Sequence, residues 1–328
     1  MKTNILKITA LCASIALASS ANAQTIGFQA SETIGNPTSD IIMTVNDASG
    51  LHGISGNSEF TALSVKIDVT NTGGNAFGIA AMGSINPIIS NDVYAETTRD
   101  GSNAIAIANV TNVTLQGGIT LSAKATTGNA YAFSNVAVNL HSNGGTHTLI
   151  GGVSAADFRI HSGKYIWGSH SDYVNFNFGT GGRIDAGVEI EFMNKLVVSN
   201  GTFQTYGHLY FHASDISQIL FQTKSLAIGS SAKFTIILDE GFEAFEDDEM
   251  SIRSGGPITL GFFDVTNLSI VLSSTGESLS YGEDFIVSMG GVITFLTDVS
   301  VVAIPEPSTY AMIFGALALG LAVYRRRK

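Results

Sequence analysis

Only one cysteine, Cys12, occurs in the 328 residues. It lies in an apolar run, Ile8 to Ala18, that follows Lys2 and Lys7 and precedes the small-x-small triplet Ala21-Asn22-Ala23. That is the three-part pattern of a secretory signal peptide, cut before Gln24. Leu11, not a small residue, precedes Cys12, which argues against a lipid-attachment box. Removal of residues 1–23 leaves no thiol, so disulfides, thiolate catalysis and cysteine-based zinc sites are excluded. Charge is scarce as well. Charged residues make up 13% of the chain, against about 25% in an average globular protein. Between residues 24 and 304 there are 10 Lys and Arg against 26 Asp and Glu, a net of −16. That balance disfavours nucleic acid and anionic lipid surfaces as partners. Prolines number five. A sustained 3.6-residue apolar period is also missing, apart from a short helical pattern over Ala213 to Leu220.

Glycine, by contrast, is abundant at 36 residues, and β-branched and aromatic residues are plentiful, so the body is not of disordered composition. Seven Gly-Gly pairs punctuate it, starting at Gly73, Gly117, Gly144, Gly151, Gly181, Gly255 and Gly290. Between several of them a phrase recurs: "GGNAFGIA" from Gly73, "GSNAIAIANV" from Gly101 and "TGNAYAFSNV" from Thr127. Its asparagines, Asn75, Asn103 and Asn129, are 28 and 26 residues apart. A period in this range marks stacked supersecondary units, since one unit cannot bury its own apolar face. The phrase alternates as a strand does, with Ile105 and Ile107 opposing Ala104, Ala106 and Ala108. "NVTLQGGITLSAK" reads either as a hairpin across Gly117-Gly118 or as a solenoid corner.

From Phe158 the texture becomes bulkier, with 12 of the 19 phenylalanines between Phe158 and Phe263. The expected organisation is a signal peptide (1–23), an N-terminal leader (24–60), a small-residue β-repeat region (61–155), a continuing β-region (156–232), a terminal β-module (233–303) and a C-terminal segment (304–328). The expected fold class is all-β: a parallel β-solenoid, or β-helix-like body, with β-sandwich modules as the alternative. Helices are expected only at the two ends, in the signal peptide and in one short C-terminal transmembrane segment.

The search for chemistry returns mostly negatives. No nucleophile elbow, phosphate loop, His-Glu-x-x-His helix or dinucleotide fingerprint occurs. In "HLYFHASD", His208, His212 and Asp215 form the best metal candidate. On a strand, however, the two histidines stand roughly 13 Å apart, too far for one ion. "DEGFEAFEDDE", Asp239 to Glu249, offers carboxylates for calcium but lacks the alternating loop that would aim them at one centre. It reads as a solvated edge anchored by Phe242 and Phe245. Asp185, Glu189 and Glu191 are the nearest thing to a glycosidase set. Glu189 and Glu191 on one strand face would lie about 7 Å apart, though exposed strands carry such pairs routinely. Tyr165, Trp167 and Tyr173 suit either sugar stacking or core packing. No catalytic residue, metal site or cofactor is expected, and the protein is read as non-enzymatic.

The tail carries the strongest signal. Pro305-Glu306-Pro307 runs into seventeen uncharged residues, Ser308 to Tyr324, closed by Arg325, Arg326, Arg327 and Lys328. Seventeen helical residues span about 25 Å, the short end for a bilayer core of about 30 Å. The terminal cations hold the C-terminus in the cytoplasm and so place the body outside the inner membrane. This layout resembles the PEP-CTERM sorting signal of Gram-negative bacteria. The resemblance covers about 25 residues and implies recognition of Pro305, Glu306 and Pro307 by an exosortase. Removal of the hydrophobic tail and passage to the outer surface or exopolysaccharide would follow. It implies the Sec translocon and the exosortase as processing partners, extracellular polysaccharide as a partner of the body, and only transient contact with the inner membrane. The body itself loosely resembles the strand repeats of autotransporter-like surface proteins. A structural or adhesive role is expected, with a polysaccharide-acting β-helix enzyme as the alternative.

Overall fold

The computed structural model describes residues 28–30, 41–46, 48, 50–56, 62–64, 66–83, 87–259 and 261–302. The signal segment, the sorting motif and the terminal cations lie outside these residues. Every element among the described residues is a strand, a turn or a loop; none is a helix long and apolar enough to cross a membrane.

Period-two alternation sets the strands. Ile67–Asn71 turns Ile67, Val69 and Asn71 inward and leaves Asp68 and Thr70 at the surface. Such a strand buries one face only against other strands, and here its partners are the equivalent strands one rung away. A 10-stranded parallel sheet runs from Ile41–Val45 to Leu268–Leu272, one strand per rung. The chain returns through a 14-stranded sheet whose main path runs from Phe28–Ala30 to Arg253–Gly255. Early rungs split the return into two pieces, Ala104–Val110 and Asn112–Gln116. The next rung runs it as one bent strand, Ala130–Asn143, whose first half pairs with the former and second half with the latter. Each rung therefore offers three outward sides.

This is a parallel β-solenoid. The sandwich alternative is overturned, because a sandwich needs antiparallel sheets and the pairings that build both large sheets are parallel. The repeated phrases are successive rungs, with Ala76, Ala104 and Ala130 in register. Their asparagines form a ladder: the Asn103 N–H donates to Asn75 Oδ1 at 2.8 Å and the Asn129 N–H to Asn103 Oδ1 at 3.0 Å. Gly117-Gly118 is a corner and not a hairpin, since Asn112–Gln116 and Thr120–Ala125 belong to different sheets. Both glycines have positive φ, +81° and +74°, and Gly117 N–H donates to Gly144 O on the next rung at 3.2 Å.

Three local expectations need correction. Ile107 does not share the outer face of Ile105. It packs into the main core with Ala104 and Ala106, whereas Ile105 sits in a small outer cluster with Ala80 and Ala108. The strand leaves strict alternation as it nears the corner, where Asn109 has φ +57°. Ala213 to Leu220 is not helical. Asp215 captures the Ser217 N–H at 2.7 Å and the Ser217 hydroxyl at 2.5 Å, giving the backbone a turn in place of a helix. Phe245 does not anchor the acidic segment: it is 62% exposed, while Phe242 is fully buried.

The described ladders continue through residues 156 and 232. Ala130–Asn143 pairs with Gly152–Ile160, and His208–Ala213 with Lys233–Leu238. What changes near Phe158 is the core filling. Alanine, valine and isoleucine give way to stacked aromatics, including Phe192 on Phe211 and Phe211 on Phe221 with centroids 5.2 and 5.3 Å apart. Strands from within 24–60 also join the stack, Ile41–Val45 pairing with Ile67–Asn71. At the far end the parallel stack gives way to antiparallel strands, Glu249–Ser251, Val292–Phe295 and Phe285–Val287, with Glu243–Ala244 pairing Val299–Ser300. Met250, Phe285, Ile293 and Phe295 from this cap join the main core. A cap of this kind covers the open end of a stacked-repeat core.

Candidate functional site

Alternation on the 10-stranded sheet sends Leu209, Phe211 and Ala213 inward and leaves His208, Tyr210 and His212 on the outer face. Parallel in-register pairing then lines up columns across rungs. Thr146, Lys164, Glu189, His208 and Lys233 form one column. Thr120, Thr148, Ile166, Glu191, Tyr210, Thr235 and Ser269 form the next. Lys164 Nζ lies 2.9 Å from Glu189 Oε2. His208 Nε2 is 2.8 Å from the Thr235 hydroxyl, and its ring stacks on Tyr210 at 4.1 Å. His212 is bridged on both sides: Nδ1 to Asp239 at 2.8 Å and Nε2 to Glu191 at 2.9 Å. A cavity of about 360 Å³ opens here, lined by Lys164, Glu189, Glu191, Tyr210, Ile166 and Ile237 among others.

The residues singled out from sequence are thus partly gathered and partly scattered. Glu189, Glu191, His208 and His212 share this face. Asp215 sits beyond it in the turn with Ser217, and Asp185 lies on another side, against His161 and Arg183. His208 and His212 have different partners, and no three His, Asp or Glu among the described residues form a metal-holding group. Trp167 and Tyr165 are core residues. The indole N–H donates to Gly151 O at 2.8 Å and the Tyr165 hydroxyl to Ser162 O at 2.7 Å. Burial pushes the Tyr165 phenol far above its ordinary range. Tyr173 is 47% exposed. The acidic segment's side chains are spread. Asp239 holds His212, Asp248 accepts the Phe245 N–H, and Glu246 N–H donates to Asp298.

The face is an array of paired charges, and one member titrates usefully. Burial alone would lower the pKa of His212, but hydrogen bonds and charge from Asp239 and Glu191 outweigh it and raise it above 6.5. A raised folded value means that the stabilisation is complete below the unfolded value and is lost as pH rises through the folded one. His212→Gln should therefore cost more stability at about pH 5.5 than at about pH 8.5. Urea midpoints at the two pH values read this directly, and equal costs would contradict it.

A second polar cluster was missed by sequence reasoning. Arg159-Ile160-His161, Arg183-Ile184-Asp185 and Gln204-Thr205-Tyr206 are the same strand position on three successive rungs. Ile160, Ile184 and Thr205 point inward, and the flanking residues point out. The His161 ring stacks on His141 at 4.5 Å and bonds Asp185 at 2.9 Å. The signal available was the Arg-Ile-x pattern recurring after 24 residues. It was obscured because the third rung carries Gln204-Thr205 at that position.

Comparison with protein-family models, curated proteins and solved structures finds no match for the chain.

Proposed function

We propose that this is a secreted, exosortase-processed protein of the cell surface or extracellular matrix, with a structural or adhesive role linked to exopolysaccharide. The observation that carries the reading is the ordered tail: Pro305-Glu306-Pro307, then Ser308 to Tyr324, then Arg325 to Lys328. The Sec translocon takes the body across the inner membrane behind residues 1–23. The short tail then holds the precursor there until the exosortase acts at the sorting motif. An acidic solenoid fits that destination. Its stacked rungs give long lateral faces of polar side chains, and its low positive charge keeps it off anionic membrane surfaces.

Cell fractionation tests this. With Pro305, Glu306 and Pro307 all changed to alanine, the chain should accumulate in the inner-membrane fraction, while the wild type reaches the outer surface or medium. The same distribution for both would contradict the reading. The enzymatic alternative has one observation in its favour, the cavity beside Lys164, Glu189 and Glu191. Against it, Glu189 is engaged by Lys164 and Glu191 by His212. Catalysis there would require a polysaccharide-degrading activity that disappears with Glu189→Gln or Glu191→Gln while the fold is kept.

A further inference from the structure

The side built by the second halves of Gly152–Ile160, Tyr173–Ile184 and Lys195–Thr205 places two arginines on neighbouring rungs. Arg159 pairs in register with Arg183, and Arg183 with Gln204. Neighbouring strands are about 4.8 Å apart, so the two cations repel unless something negative lies between or beside them. Arg183 has its compensation. Its Nε donates to Asp185 Oδ1, and its guanidinium lies 4.7 Å from the centre of the Tyr206 ring. Arg159 has none. Its Nε is buried with no hydrogen-bond partner, and among the described residues it forms no ion pair. That atom is sealed from solvent, so any ligand has to be met by the two terminal amino groups of the guanidinium.

A cavity of about 290 Å³ is lined by Asp157, Arg159, Gly181, Arg183, Thr202 and Gln204 among others. Gly181 pairs with Asp157 on one side and Thr202 on the other, and a side chain there would crowd Thr202 O at 3.1 Å. Its absence keeps the floor open between the two walls.

We propose that this cavity is a subsite for one carboxylate-bearing sugar, a hexuronate unit of an acidic polysaccharide. Arg159 clamps the carboxylate through its two terminal amino groups, whose planar arrangement a carboxylate matches with two parallel hydrogen bonds. Arg183 supplies the second positive charge. Asp157, an exposed acceptor on the rim, takes sugar hydroxyls, and Gln204 takes the remaining donors or acceptors. Asp157 also sets the selectivity. A phosphate dianion meets its charge and offers it no hydroxyl, whereas a hexuronate brings a single charge with several hydroxyls beside it. The strongly acidic remainder of the body repels a polyanion elsewhere, so binding is confined to this side.

The proposal rests on the polysaccharide link argued above but is tested separately from it. A mature chain that keeps its tail would end the processing account and leave this binding result standing. The experiment is titration calorimetry on the full chain in mild detergent, with oligogalacturonate and oligoglucuronate, the methyl ester of the former, and dextran sulfate as probes. At least one acid oligomer should bind, the ester and the sulfate at least about tenfold more weakly. Arg159→Ala should lower acid-oligomer affinity by about tenfold or more. Arg159→Lys, which keeps the charge without the fork, should fall between, and Lys124→Ala on the other sheet should bind as wild type does. Circular dichroism melting checks the fold, and Arg159→Lys supplies the reading if Arg159→Ala does not fold. No binding of either acid oligomer, equal binding of the ester or the sulfate, or wild-type affinity in both Arg159 variants overturns the proposal.

Discussion

Phe176→Ala should destabilise the body by about 3–5 kcal/mol, the range for emptying a buried aromatic site. Phe176 is fully buried, and five aromatic side chains surround it. Phe158, Trp167, Phe178, Phe192 and Phe203 have centroids at 5.9, 4.8, 5.6, 6.1 and 6.5 Å. Those partners come from its own rung and from both neighbours. Truncation therefore loosens three rungs together, and in a stack held by nearest-neighbour contacts the damage spreads along the axis. Phe262→Ala is the control. Phe262 is 45% exposed, so its loss should fall within about 0.5 kcal/mol of neutral. Urea unfolding of the two variants reads the difference. A cost below about 1 kcal/mol for Phe176→Ala would mean that the aromatic stack is not the core.

The solenoid was legible where the sequence repeats itself. Asn75, Asn103 and Asn129 recur at one-rung spacing because the same hydrogen bond is remade from each of these rungs to the next, which leaves a period in the letters. The later rungs keep the architecture without the phrase. Trp167, Phe192 and Phe211 fill equivalent positions on successive rungs, and any large apolar residue does so, which is why the aromatic region read as strands without showing its register. The sandwich alternative stayed open for the same reason: alternation gives a strand's two faces but says nothing about which strand lies beside it. Register is also what hid the polar sites. Glu191 meets His212, and His212 meets Asp239, only once three strands are aligned. Local pattern misled at Ala213 to Leu220, where one Asp side chain outcompeted a weak helical period. It misled again at Phe245, whose neighbours in sequence gave no sign that the segment turns it outward.

The tail has a physical logic of its own. Seventeen uncharged residues are enough to hold a precursor but make a marginal permanent span. Pro305 and Pro307 disfavour helix in the residues before them, which in the proposed processing would favour cleavage by a protease. Glu306 between them offers a single charge for a recognition pocket to read. In the proposed processing, the cations from Arg325 onward would keep the far end in the cytoplasm and leave the Pro-Glu-Pro triplet on the side of the body. Intact-mass measurement of the protein taken from its native envelope or medium tests the account most directly. The predicted mature chain lacks Met1 to Ala23 and most of Ser308 to Lys328. A mature chain that retains Arg325 to Lys328 contradicts it and makes the tail a plain C-terminal anchor.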